Sequence, residues 1–233
     1  MTPCATRFTG FVAALSVVAF LATGASAALR SPQVAVLGGT LQGYLNGVGE
    51  SINVLTDQQD VQTWQTSVSD NSTFSLMIEL SANAAANAIG LYNASNPAPP
   101  LYQVFPGAAA SGWFAVASFR TAPVRVVVNL FDGFANLMGT NTYLGADNSN
   151  FGYYLQGPGG LFYTQDARNP GGAAQALTYA GTGINAGQWW LCWDDAPPAS
   201  SDRDFDDAVL FLESVAPTPV SKTTWGALKV RFR

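Results

Sequence analysis

The chain reads as all-β, an antiparallel β-sandwich with a jelly-roll-like arrangement, on three observations. Short runs rich in β-branched and aromatic residues recur at intervals of roughly 8–15 residues. Twenty-three glycines and 13 prolines punctuate them. Almost no long stretch repeats its apolar side chains at helical period.

Taken in order, residues 73–80 alternate and place Phe74, Leu76, Ile78 and Leu80 on one face. Residues 82–88 read equally as a short helix or a loop, because asparagines and the nearby Gly90 weaken any helix there. Residues 113–119 and 124–130 form two strands broken by Ala122-Pro123. Further strands follow at 151–155, 161–163, 176–179, 188–193 and 207–215. In the last of these, Phe205, Asp207, Val209 and Phe211 fall on one face and Asp206, Ala208, Leu210 and Leu212 on the other. Both faces are apolar beyond Asp207, as in a strand buried between layers.

A weak echo links Asn87-Ala88-Ile89-Gly90-Leu91-Tyr92 with Asn148-Ser149-Asn150-Phe151-Gly152-Tyr153-Tyr154. It suggests two related halves, about residues 28–145 and 146–215, within one sandwich domain spanning 28–215.

The first 27 residues read as an export signal. Arg7 supplies the positive charge, residues 11–23 the short apolar run, and Ala25-Ser26-Ala27 the cleavage site, so the mature chain is expected to begin at Ala28. The apolar run is shorter than the ~20 residues that span a bilayer, and no transmembrane anchor is expected once it is removed. Nine basic and fifteen acidic side chains then remain, with Cys192 as the one cysteine. Such a balance offers no basic stripe for nucleic acid. Set in Trp189-Trp190-Leu191-Cys192-Trp193, the thiol reads as a buried core residue. Histidine is absent from the chain, which removes Ser-His-Asp triads, Cys-His pairs and His-based zinc sites together.

Residues 216–233 begin as a Pro/Thr linker and end in a basic tail. Within it Trp225, Gly226, Lys229, Arg231, Phe232 and Arg233 form an aromatic-basic box that reads as a sorting or docking signal.

Charged residues make up only 11% of the chain, yet seven of its fifteen acids lie between Asp194 and Glu213. Carboxylates this crowded repel one another unless a cation, a guanidinium or N–H groups offset them. An EF-hand loop starting at Asp202 fails, because Asp207 stands where the sharp turn needs glycine and the next five positions are apolar. The acids instead collect at the mouth of a strand. Asp202, Asp204 and Asp206, with Asp194 and Asp195, are candidate Ca²⁺ ligands, since hard oxygen donors without His or Cys suit that ion. Two other readings stand beside it. One is a turn in which the aspartates accept N–H groups and pair with Arg203; the other is a glycosidase acid–base pair, the minor reading.

Phe151-Gly152-Tyr153-Tyr154-Leu155, Pro158-Gly159-Gly160, Thr178-Tyr179 and the run from Ser201 through Asp204-Phe205-Asp206-Asp207 to Val209 together resemble the domain of unknown function numbered 4114. The resemblance covers about residues 148–215, and residues 74–105 look like the companion half often found before it. It implies an extracytoplasmic β-sandwich, surface-associated in exported bacterial proteins, with no established activity and no catalytic residues. Many such proteins end in a Pro-Glu-Pro sorting signal; here Pro217-Thr218-Pro219-Val220 is similar, but the Trp225 to Arg233 tail takes that signal's place.

Two functional classes follow. The first is a secreted, non-catalytic surface or matrix protein whose acidic turn holds calcium. The second is an extracellular glycan-binding module that stacks sugar rings on Trp64, Tyr102, Trp113 or Tyr163.

Overall fold

The computed structural model describes residues 40–67 and 70–219. One helix, α1 (Thr40–Gly47), precedes thirteen strands: β1 (Trp64–Thr66), β2 (Asn71–Glu79), β3 (Ala88–Asn93), β4 (Leu101–Phe105), β5 (Phe114–Thr121), β6 (Val124–Phe131) and β7 (Leu137–Leu144). After them come β8 (Phe151–Gly157), β9 (Gly160–Tyr163), β10 (Ala176–Ala180), β11 (Trp189–Trp193), β12 (Ala208–Glu213) and β13 (Val215–Pro217). The strands form two antiparallel sheets, as the alternation and turn spacing predict. A seven-stranded sheet runs β10-β11-β12-β2-β5-β6-β7, and a six-stranded sheet runs β13-β1-β8-β3-β4 with β9 paired to β8. Each sheet takes strands from both sides of residue 145, so the two stretches interleave. No helix among the described residues is long and apolar enough to cross a membrane.

The main core lies between the sheets. Phe74, Leu76, Phe119, Val126, Leu191, Trp193 and Leu210 from one sheet meet Trp64, Leu91, Val104, Phe151, Tyr153 and Leu155 from the other. A second core covers the outer face of the seven-stranded sheet at its β10 end. There Leu41 and Leu45, one turn apart on α1, pack with Ile52 and Val54 against Leu177, Tyr179, Trp190, Cys192 and Val209. Tyr44 adds an edge-to-face contact on Trp190 at 6.1 Å. This second layer explains why β10 to β12 are apolar on both faces. Cys192 sits in it fully buried, and burial pushes its thiol up.

The structure corrects the reading of residues 73–80 as a single-faced strand. Leu210 pairs with Leu76 but Val209 with Ile78, so β2 holds one extra residue, Met77, between them. Phe74 and Leu76 therefore face the sandwich core, whereas Ile78 turns into the second core and Leu80 is exposed. The stretch expected as a linker from residue 216 also begins differently. Ser214, in the left-handed region at φ 59°, carries the chain from one sheet to the other, and β13 pairs with β1 through Trp64–Pro217. Of residues 82–88, only Ala84–Ala86 are helical, as a single 3-10 turn.

The echoing segments prove to be neighbours. β3 and β8 pair so that Gly90 faces Tyr154 and Tyr92 faces Gly152. Each ring lies over the opposite glycine: a β-carbon built on Gly152 would stand 2.5 Å from the Tyr92 ring, and one on Gly90 would stand 2.7 Å from Tyr154.

Candidate functional site

The acidic segment is the connection from β11 to β12, at one end of the seven-stranded sheet. Two turns build it. In the first, the Asp194 carboxylate accepts the Ala196 N–H at 3.1 Å and the Ser201 hydroxyl, while Gln175, fully buried, donates to the Ala196 carbonyl at 2.6 Å. Asp195 points away from that turn. Its carboxylate accepts Asn87 Nδ2 at 2.7 Å, Asn83 Nδ2 at 3.3 Å and the Ser81 hydroxyl, tying the loop to the connection between β2 and β3.

The second turn carries Asp202, Asp204 and Asp206 at alternate positions. The residues between them, Arg203 and Phe205, are in the left-handed region at φ 59° and 56°, a conformation that disfavours L side chains. Burial of the Phe205 ring holds it there, with the Arg203 guanidinium 5.5 Å above the ring centre. Pinning Phe205 in the second core keeps its two flanking aspartates close: the Asp206 N–H points to Asp204 Oδ1 at 3.4 Å.

The electrostatics follow from this crowding. Burial, then the charges of Asp206 and Asp202, push Asp204 up to about 6. Asp206 and Asp194 are also raised, each by burial first and with Asp202 contributing; hydrogen bonds from Thr40 and Asp204 oppose the rise at Asp206, and one from Ser201 opposes it at Asp194. Asp207 goes highest, to about 7. Burial leads, Asp195, Asp194 and Asp204 add to it, and the hydrogen bond from the Asp195 N–H at 2.8 Å opposes it. Glu79, opposite Ala208 at the same end of the sheet, is raised to about 7 by burial.

Five residues were expected to share one cation. The structure brings all five into one connection but turns Asp194 and Asp195 to other partners. Among the described residues, no three His, Cys, Asp or Glu side chains form a group that could hold a metal ion. Asp207 and Glu79 are the members that sequence reasoning left out. Both lie at strand ends, where an alternation pattern gives no sign of burial. Arg203, expected to pair with these aspartates, has its guanidinium over the Phe205 ring.

A second buried carboxylate, Glu50, had no signal in the sequence beyond its isolation. It lies in the segment after α1 and is 4% exposed. Its oxygens accept the Thr182 N–H at 2.7 Å, the Thr182 hydroxyl at 2.6 Å, Asn185 Nδ2 at 2.7 Å and Trp190 Nε1 at 2.8 Å. Burial works against the charge. The four donors outweigh it and hold Glu50 below its ordinary value. It is a clamp on the β10–β11 hairpin.

None of the four aromatics expected to stack on sugars is exposed. Trp64 and Tyr102 belong to the core between the sheets, and Trp113 packs against it. Tyr163 is half-buried against Tyr92, at 4.9 Å, with Arg168 lying over both rings. Trp64 and Tyr102 are thus closed to a sugar ring, while Trp113 and Tyr163 are half-buried. The tail residues Trp225, Gly226, Lys229, Arg231, Phe232 and Arg233 lie outside the described residues, as does the expected signal at 1–27. Neither a protein-family model, nor a curated protein, nor a solved structure matches this chain.

Proposed function

We propose that this chain is an exported, non-catalytic β-sandwich of a cell surface or extracellular matrix, of the kind found in the domain family numbered 4114, and that its 202–206 loop takes up Ca²⁺. The observation that carries the reading is the closeness of Asp204 and Asp206 on either side of the buried Phe205, with the charge of Asp202 acting on both. Phe205 is locked in the core, which keeps Asp204 and Asp206 together, and burial, then the charges of Asp206 and Asp202, lift Asp204 to about 6. A hard dication relieves such repulsion with oxygen ligands alone. Asp202, which is exposed, swings to complete the set. Asp194 and Asp195 serve as the turn's hydrogen-bond acceptors rather than as ligands, a narrower site than the sequence suggested. The tail after residue 220 supplies final placement at the surface.

Thermal unfolding in EDTA and then in excess Ca²⁺ tests the site. Binding to the folded state adds RT ln(1 + [L]/Kd), about 2.7 kcal/mol at a hundredfold excess over Kd. Asp204→Asn removes most of that gain, and Asp147→Asn, in a separate turn, leaves it intact. Identical melting temperatures in EDTA and Ca²⁺ would refute the calcium reading. N-terminal sequencing of exported material is expected to begin at Ala28, and a cytoplasmic product retaining Met1 would refute export.

A further inference from the structure

The other sheet edges in the described residues are short, bracketed by prolines, or satisfied by a bridge or a side chain; β7 stands apart. At β10, Gln59 bridges to Thr178, with the Gln59 N–H on the Thr178 carbonyl at 2.8 Å. β13 is three residues long and ends at Pro217. β4 lies between Pro99-Pro100 and Pro106. At β9, the Asn169 side chain imitates a strand, accepting the Tyr163 N–H at 2.8 Å and donating to its carbonyl at 2.9 Å. β7 has none of these. It is eight residues long, its free side is unpaired among the described residues, and from Gly133 to Ala146 there is no charge and no proline. Natural sheets blunt such edges with charges, prolines, bulges or covering loops. β7 carries a single bulge, at its Leu137 end, and it exposes Leu137, Met138 and Leu144, with Phe134 at the hairpin tip 90% exposed.

The edge is also held in shape. Asp132 accepts the N–H groups of Phe134 and Asn136, each at 2.9 Å, at one end. At the other end Asn93 bonds the Gly145 carbonyl at 2.7 Å and the Asp147 N–H at 2.8 Å. An edge already ordered gives up little conformational freedom on pairing.

We propose that β7 pairs antiparallel with β7 of a second copy across a two-fold axis, joining two seven-stranded sheets into one. The other edges narrow the occupant. Among the described residues β7 is the longest uncovered edge strand, and pairing it with its own copy closes at a dimer rather than continuing as a filament. Charge favours the same arrangement. The chain carries a net charge of −5, and its acids concentrate at the β11–β12 end of the sheet. Four inter-strand spacings separate β12 from β7 in each copy and one more joins the copies. At about 4.8 Å per spacing the two acidic ends lie about 43 Å apart, several times the ~8 Å screening length at physiological salt.

Sedimentation velocity of the full chain over a concentration series tests this. The expected result is a monomer–dimer equilibrium that Thr142→Lys and Leu144→Lys each abolish without lowering the melting temperature. Ile184→Lys, on the exposed hairpin tip at the β10 end, leaves the dimer intact. Slower amide exchange across residues 137–144 at high concentration would place the contact on β7. A monomer at every concentration overturns the proposal, and so does a dimer indifferent to both lysines. Species growing beyond the dimer also overturn it. Loss of the dimer on truncation after Val220, with β7 unaltered, overturns it in favour of the tail.

Discussion

The two edges of the seven-stranded sheet are finished in opposite ways. At the β10 edge, α1 and the segment after it cover the outer face, Gln59 satisfies the strand, and Glu50 fastens the hairpin from above. At the β7 edge the outer face is open and the strand is mostly exposed, with Tyr143 packing against the core. One end of the sheet gains its stability from burial within the chain. The other contributes little to folding and leaves its backbone groups for association. Stability and recognition are thus separated along a single sheet.

Substitutions at the two ends should differ accordingly. The largest effect is expected for Trp190→Ala, which removes the ring between Tyr44 and Phe211. Truncating a buried tryptophan costs about 4 kcal/mol, read by chemical denaturation. A loss near zero would mean that α1 does not hold the β10 end.

Next comes Glu50→Ala, which strands Trp190 Nε1 and three further donors and costs about 3 kcal/mol. The pH dependence has a definite sign. Glu50 is held below its ordinary value, so its contribution is complete above the unfolded-state value and is lost as pH falls through the folded one. Glu50→Gln is expected to flatten that acid limb.

The acidic end gives a smaller effect of opposite sign. Asp207 is raised to about 7 and Asp204 to about 6, so the folded state holds these protons more tightly than the unfolded chain. Stability contributed by protonation is present below the unfolded values, near 4, and is lost as pH rises through 6 to 7. Asp207→Asn keeps an oxygen for the Asp195 N–H, and in metal-free buffer it is expected to raise the melting temperature at pH 8 and leave it unchanged near pH 4.

The smallest effect belongs to the open edge. Leu144→Thr is expected to change the stability of the monomer by no more than about 0.5 kcal/mol, as for other exposed sites. A substantially larger loss would show β7 to be part of the folding core after all.

What could be read from the sequence divides along the same lines. The strands at 113–119, 124–130, 151–155 and 188–193 were legible because alternation or an unbroken apolar run marks burial, and they reappear within one or two residues. β7 was not legible. Leu137-Met138-Gly139-Thr140-Asn141-Thr142-Tyr143-Leu144 is mostly exposed, with only Gly139 and Tyr143 partly buried, so little alternation exists to read, and the quality that hid the strand is the one that leaves its edge free to pair. α1 was missed because its buried stripe is only Leu41 and Leu45. The acidic loop was found by charge density, but charge density gives no direction to a side chain. That Asp195 turns to Ser81 and Asn87 depends on contacts more than a hundred residues away.

The reciprocal glycine–tyrosine pairs of β3 and β8 also act as a check on alignment. Slide the strands by two residues one way and Gly90 meets Gly152, leaving a hole where a ring belongs. Slide them the other way and Tyr92 meets Tyr154, two rings forced into space shaped for one. Only the native offset seats both tyrosines, so this pair of strands tolerates no near-miss, and the remaining strands of the six-stranded sheet inherit their positions from it.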